Sequence, residues 1–161
     1  MNEQLTIHTA IDHLLSAQRV ASLATIDDEG LPHVSMVPFA LLRAHGNLLI
    51  HISSLSPHFG FLKSRPQASL LIMKAEVAGE EVHALPRVSI QVATEFVGRE
   101  SAHYEAARAA YVDRFPEAGF MTGLGDFAFV MITPLSGRVI AGFGAAKKID
   151  SLTLTNAIKR A

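Results

Sequence analysis

Eight histidines and no cysteine set the chemical range of this 161-residue chain. His33, His45, His51, His58, His83 and His103 stand singly, at none of the spacings that hold a metal, such as HExxH. By spacing alone they read as solvated or strand-face histidines. Ser53, Ser54 and Ser56, just ahead of Pro57 and His58, read as loop and helix-cap residues, the settings in which serine is common. Asp27, Asp28 and Glu29 precede Gly30 and form a solvated turn rather than a catalytic carboxylate pair. No GxSxG elbow and no P-loop occurs, so neither a nucleophilic triad nor nucleotide hydrolysis is expected. Without cysteine, disulfides, thiolate catalysis and zinc–sulfur sites are excluded.

The composition narrows the class further. Apolar residues make up 49% and charged residues 18% of the chain, with a mean hydropathy of +0.27. That is too apolar and too weakly charged for intrinsic disorder. The apolar runs fall short of the roughly 18 residues a membrane helix needs, so no membrane partner is expected. A net charge of -1 and a pI near 6.7 offer no general pull on nucleic acid or anionic lipid. Met1 to Asp12 has no basic segment followed by an apolar one, so the expected location is cytoplasmic. An apolar excess in one domain of this size, residues 1–161, suggests that a partner subunit covers part of the surface.

These residues need elements to position them. Ile7, Ile11, Leu14 and Leu15 recur at helical spacing and predict a helix over 5–17, capped by Thr6 or Thr9. Strand-like runs follow at 20–26, 33–41 and 48–53, separated by Gly-containing turns, and read as a meander. Ser56 as N-cap and Pro57 at the first helical position predict a short helix ending before Pro66. Further strands are expected at 68–75 and 87–97, with a loop over 76–86 between them, then a helix over 100–115. Two last strands, 126–133 and 138–143, are expected on either side of a turn at Pro134 to Gly137. The tail, 145–161, reads as a short helix. Six or seven short strands with helices at their margins predict a mainly β fold, a closed barrel with helical attachments.

The segment from Ala21 to Phe39 resembles the opening hairpin of the FMN-binding split barrel, the fold of the pyridoxine 5'-phosphate oxidase family. Leu62 to Leu71, Pro86 to Ile90, Gly125 to Phe127 and Gly142 to Gly144 follow in the family's order. That order and the Gly-Phe-Gly ending are most similar to the haem-utilisation branch of the superfamily. The resemblance spans residues 19–144. It implies a homodimer of six-stranded antiparallel Greek-key barrels, with two equivalent cofactor pockets at the subunit interface and FMN as the cofactor. The second strand would lay Ser35, Met36, Val37, Pro38 and Phe39 beside the flavin ring. Ser53, Ser54, Ser56 and His58 would hold the phosphate, which suits a helix N-terminus and its unpaired N–H groups. Arg87 would reach the flavin from the start of the fifth strand. Gly142 to Gly144 is either a barrel-closing bend or the mount for Phe143 stacking near the flavin.

Three departures bear on function. Where the oxidases place basic side chains on the phosphate, this chain has Ser35 and Pro57-His58, leaving Lys63, Arg65 or Arg87 to compensate. The basic C-terminal motif that binds vitamin B6 substrates is missing, so that oxidation is not expected. Haem-degrading members take an axial histidine from the C-terminal tail, and here no histidine follows His103. The expected function is a flavin-dependent oxidoreductase in which the flavin carries the hydride and solvent supplies the proton. The alternatives are a haem-binding or haem-trafficking protein, or a flavin-binding protein without turnover.

Overall fold

The computed structural model describes residues 3–161, with side chains from residue 7 onward. The order is α1 (Glu3–Ala17), β1 (Val20–Ile26), β2 (Pro32–Pro38), β3 (Ala40–Leu42), β4 (Asn47–Ser53) and α2 (Pro57–Ser64). Then come β5 (Gln67–Met73), β6 (Arg87–Val97), α3 (Tyr104–Arg114), β7 (Phe127–Ile140), β8 (Ala146–Asp150) and α4 (Ser151–Arg160). Short 3-10 segments lie at Val82–Ala84 and Pro116–Gly123. Because α1 begins at Glu3, neither Thr6 nor Thr9 stands at its start.

The described strands form one eight-stranded sheet in the order β2-β1-β5-β6-β7-β4-β3, with β8 added to the free side of β7. β2 and β3 sit at opposite ends of that path yet are separated in sequence only by Phe39. The sheet therefore curls until its two ends meet through one residue, which closes a barrel. Counting β2 and β3 as one bent strand leaves six staves plus the added β8. The expected second strand, 33–41, is thus two strands, one pairing with β1 and the other with β4. Phe39 makes the bend, and its ring is fully buried.

The expected turn at Pro134 to Gly137 is instead the middle of β7, a single 14-residue strand. Val92 pairs with Pro134 and Gln91 with Ser136, so Leu135 is an extra residue in a bulge. Proline, which has no N–H to donate, is tolerated there. Gly137 is needed for close approach: a Cβ at that position would lie 2.8 Å from the Ser89 carbonyl oxygen. The strand ends at Ile140, and Gly142-Phe143-Gly144 forms the hairpin tip leading into β8, with Gly142 at φ +148 and Gly144 at φ +77. The tail is therefore a strand followed by a helix, not a helix alone.

Burial explains the helices. Ile7, Ile11, Leu14 and Leu15 of α1 and Leu154, Ala157 and Ile158 of α4 are buried in the same core as the barrel side chains. Arg160 pairs with Asp12 at 2.9 Å and ties the two helices together. A second apolar cluster lies under α3, where Tyr104, Ala107, Tyr111 and Phe115 pack on Phe129, Leu49 and Ala40. No helix among the described residues is long and apolar enough to cross a membrane.

Candidate functional site

Strand alternation divides the expected ring-binding stretch between two faces. Val34 and Met36 point outward, 65% and 64% exposed, while His33, Ser35 and Val37 turn towards the core and α2. Ser35 Oγ lies 3.0 Å from His58 Nδ1, beneath α2. The His58 ring is buried, and its Nε2 has no partner among the described residues. Burial, together with neighbouring His33, holds the His58 imidazole below its usual pKa, so it is neutral near pH 7.

Of the three serines, only Ser53 has its hydroxyl engaged by the loop. Ser53 Oγ donates to Asp126 Oδ2 at 3.0 Å and accepts from the Leu55 N–H at 3.2 Å. The Ser54 N–H donates to the Asp126 carbonyl at 2.7 Å. Ser56 takes the extended N-cap conformation, but its hydroxyl makes no capping bond. Pro57 removes one of the N–H groups a helix start would offer, and the Phe59 N–H is spent on the Ser56 carbonyl.

The candidate compensating cations are engaged elsewhere. Lys63 Nζ sits 4.3 Å from the centroid of the Phe96 ring. Arg65 donates to the Asp27 carbonyl at 2.7 Å, and Arg87 to the Leu85 carbonyl at 2.9 Å. Arg87 also opens β6, whose other end, Val97, pairs with Phe129 near the Ser53 loop. Ten steps at roughly 3.3 Å put Arg87 about 30 Å from that loop along the strand. Among the described residues, the cradle thus combines a neutral imidazole and an acid group on the first serine with the unbonded hydroxyls of Ser54 and Ser56, a weaker setting for a phosphate than basic side chains would give. Phe143 is at the hairpin tip, 88% exposed.

A groove of about 900 Å³ lies elsewhere, on the outer face of β5 to β8. Ser69, Ser89, Gln91, Leu135, Arg138 and Lys148 line it, with Ile149, Asp150 and Ser151 at the β8 end. The register places Ser89, Arg138 and Lys148 side by side in one row across three strands. The neighbouring row holds Ser69, Gln91, Ser136 and Asp150, with Ser136 bonded to Gln91 at 3.0 Å. Asp150 is occupied as the N-cap of α4, and the bond from Thr153 holds its carboxyl below the usual pKa. The groove therefore presents two adjacent cations over a floor of small polar and apolar groups, suited to an anionic ligand with an apolar body.

A family model described as pyridoxamine 5'-phosphate oxidase matches residues 7–141. The chain belongs to this family. Haem oxygenase HutZ from Vibrio cholerae is 27% identical over 134 residues, covering 83% of this chain and 75% of HutZ. A solved HutZ structure, described as a haem storage protein, superposes with a TM-score of 0.72 at 25% identity. That match covers 80% of this chain and 89% of the other. A haem-binding protein from Mycobacterium smegmatis superposes with a TM-score of 0.82 at 25% identity, covering 93% of this chain and 60% of its own.

Within this family fold, sequence reasoning overlooked two places. None of the expected site residues lines the groove; Arg138 faces it because it lies well inside β7, opposite Ser89, rather than at a strand start after a turn. His51, read as a solvated or strand-face residue, is buried on β4 against Phe129, Phe127 and Tyr111, at centroid distances of 4.3, 5.0 and 5.4 Å. Burial first, then the charge of Arg99, pushes its pKa down to about 4.

Proposed function

We propose that the protein binds haem in the outer-face groove and serves haem utilisation as a binding or storage protein. The observation carrying this reading is the pair Arg138 and Lys148, adjacent on one face of a 900 Å³ groove. Two propionate carboxylates match two neighbouring cations, and Leu135, half exposed at the bulge, offers apolar surface to the macrocycle. The named haem proteins among its relatives support the same reading. Bound haem would supply an iron centre.

The working unit in this proposal is a homodimer. Val34, Met36, Val20 and Leu31 leave an apolar patch on the outer face of the β1–β2 hairpin, as a surface covered by a second copy would. A flavin-dependent oxidoreductase is the second reading, favoured by the family match, whose members bind flavin in general.

Absorption spectra during haem and FMN titrations test both readings. Haem carriage predicts a saturable Soret band, reduced tenfold or more in affinity by Arg138→Ala with Lys148→Ala, a loss of about 1.4 kcal/mol. Saturable flavin bands that NADH or NADPH bleaches, without haem binding, would replace it with the second reading.

A further inference from the structure

A separate concavity of about 290 Å³ opens where the end of α1 meets α3 and β3, lined by Ser16, Arg19, Arg43, Asp113 and Arg114. Its three arginines come from three different parts of the chain: the α1–β1 turn, the turn after β3 and the last residue of α3. Arg114 is fixed in place, donating from Nη2 to the carbonyls of Leu15, Ser16 and Gln18, where α1 leaves them unpaired. Its guanidinium lies 5.4 Å from the Phe39 ring centroid, and its buried Nε has no acceptor among the described residues. Arg19 is paired with Glu117 at 2.7 Å and lies over Phe115. Arg43 donates to the main-chain oxygen of Ala161 at 2.9 Å and to no Asp or Glu side chain among the described residues.

The charge balance at this place is incomplete. Among the described residues, Arg19 alone of the three has an Asp or Glu carboxylate within ion-pair distance; Asp113 lines the cavity but pairs with none of them. The three guanidiniums repel each other. Burial, then Arg43 and Arg19, pulls the Arg114 pKa below its ordinary value, though a guanidinium remains charged in a protein. Three planar, always-charged donor groups arriving from three directions match a tetrahedral group with several oxygens better than a planar carboxylate, which one guanidinium saturates in bidentate fashion.

We propose that this cavity is a binding site for a phosphate group carried by a small molecule. Bound there, the ligand bridges the α1 end, the β3 turn and α3, so it stabilises the fold by mass action as well as occupying a site remote from the groove. The lining holds no aromatic ring, which favours a small phosphomonoester over a nucleotide.

The test is calorimetric titration of the full chain with inorganic phosphate and with glycerol phosphate, at constant ionic strength, with acetate as control. Thermal melting is followed under the same conditions. The expected result is one saturable phosphate site per chain, a raised melting temperature, and at least tenfold weaker binding in Arg43→Gln. Arg43 is the variant of choice because Arg114 also caps α1, and its loss would test folding instead. An Arg43→Gln protein with an unchanged melting temperature in phosphate-free buffer keeps the comparison clean. No saturable phosphate binding, equal binding of acetate, or undiminished binding to Arg43→Gln would overturn the proposal.

Discussion

Ser35 and His58 meet at 3.0 Å beneath α2, and this contact couples the second strand of the barrel to the helix that covers its end. Both residues were candidates for holding a cofactor phosphate. The hydroxyl satisfies one nitrogen of a buried ring whose other nitrogen has no partner among the described residues. Whichever tautomer His58 adopts, Ser35 complements it, because a hydroxyl can donate or accept.

The pair is therefore expected to act on stability. Ser35→Ala leaves a buried imidazole with neither nitrogen bonded, at a cost of about 1–3 kcal/mol. His58→Leu in the same protein removes the stranded polar group and recovers most of that loss. Urea unfolding of the two single variants and the double variant measures the coupling. A Ser35→Ala protein as stable as the parent contradicts this assignment.

His51 predicts an acid-sensitive fold. Its folded pKa, about 4, lies below the ordinary 6.5, so below pH 6.5 the unfolded chain takes up a proton that the folded chain refuses. Its contribution to stability is fully present above 6.5 and falls as the pH drops towards 4. Allowing for partial solvent access to the ring, the loss is on the order of 2 kcal/mol. His58, also shifted downward, adds in the same direction. Melting temperatures at pH 7.5 and pH 5 measure the effect, and His51→Phe, which keeps the aromatic packing, shrinks the difference. An equal drop in that variant would assign the acid sensitivity to other groups.

Gly137 tests the bulged centre of β7. A methyl group there meets the Ser89 carbonyl oxygen at 2.8 Å, a backbone atom that yields only if the strands separate. Gly137→Ala is expected to destabilise by about 1–3 kcal/mol and to deform the groove. Gly60→Ala is the control: its Cβ meets nothing within 4 Å inside α2, and alanine there is expected to add about 0.5–1 kcal/mol. Chemical denaturation that ranks the two variants the other way refutes this account.

Met36 tests the proposed dimer. A charge at an outward position of β2 does not disturb the barrel core, since the side chain is 64% exposed. Met36→Asp is expected to yield monomers in sedimentation while the circular dichroism spectrum is unchanged. A dimer that persists places the subunit contact on another face.

Much of the architecture was legible locally. The bounds of β1 and α2 follow from an apolar run closed by an acidic turn and from the Ser56-Pro57 start signal, both set by neighbours in sequence. The order of motifs from Ala21 to Gly144 likewise identified the family, because a family's turns and glycines recur at fixed places along a chain. Pro134 and Gly137 misled because they have the local chemistry of a turn, whereas the bulge and the close approach they serve involve β6, more than forty positions away in sequence by the pairing of Gln91 with Ser136.

The candidate site was the least legible part for the same reason. Serine, histidine and arginine announce the bonds they are able to make, not the partners they find. That Asp126 engages Ser53, that aromatic rings engage Lys63, and that backbone carbonyls engage Arg65 and Arg87 are all outcomes of packing. The outer-face groove arises from strand register, which brings Arg138 beside Lys148 across a hairpin. The sequence by itself determined the fold family, since hydrophobic period and turn chemistry are properties of neighbouring residues. Only the tertiary structure decided which polar groups remain available for a ligand, because that depends on contacts between segments far apart in the chain.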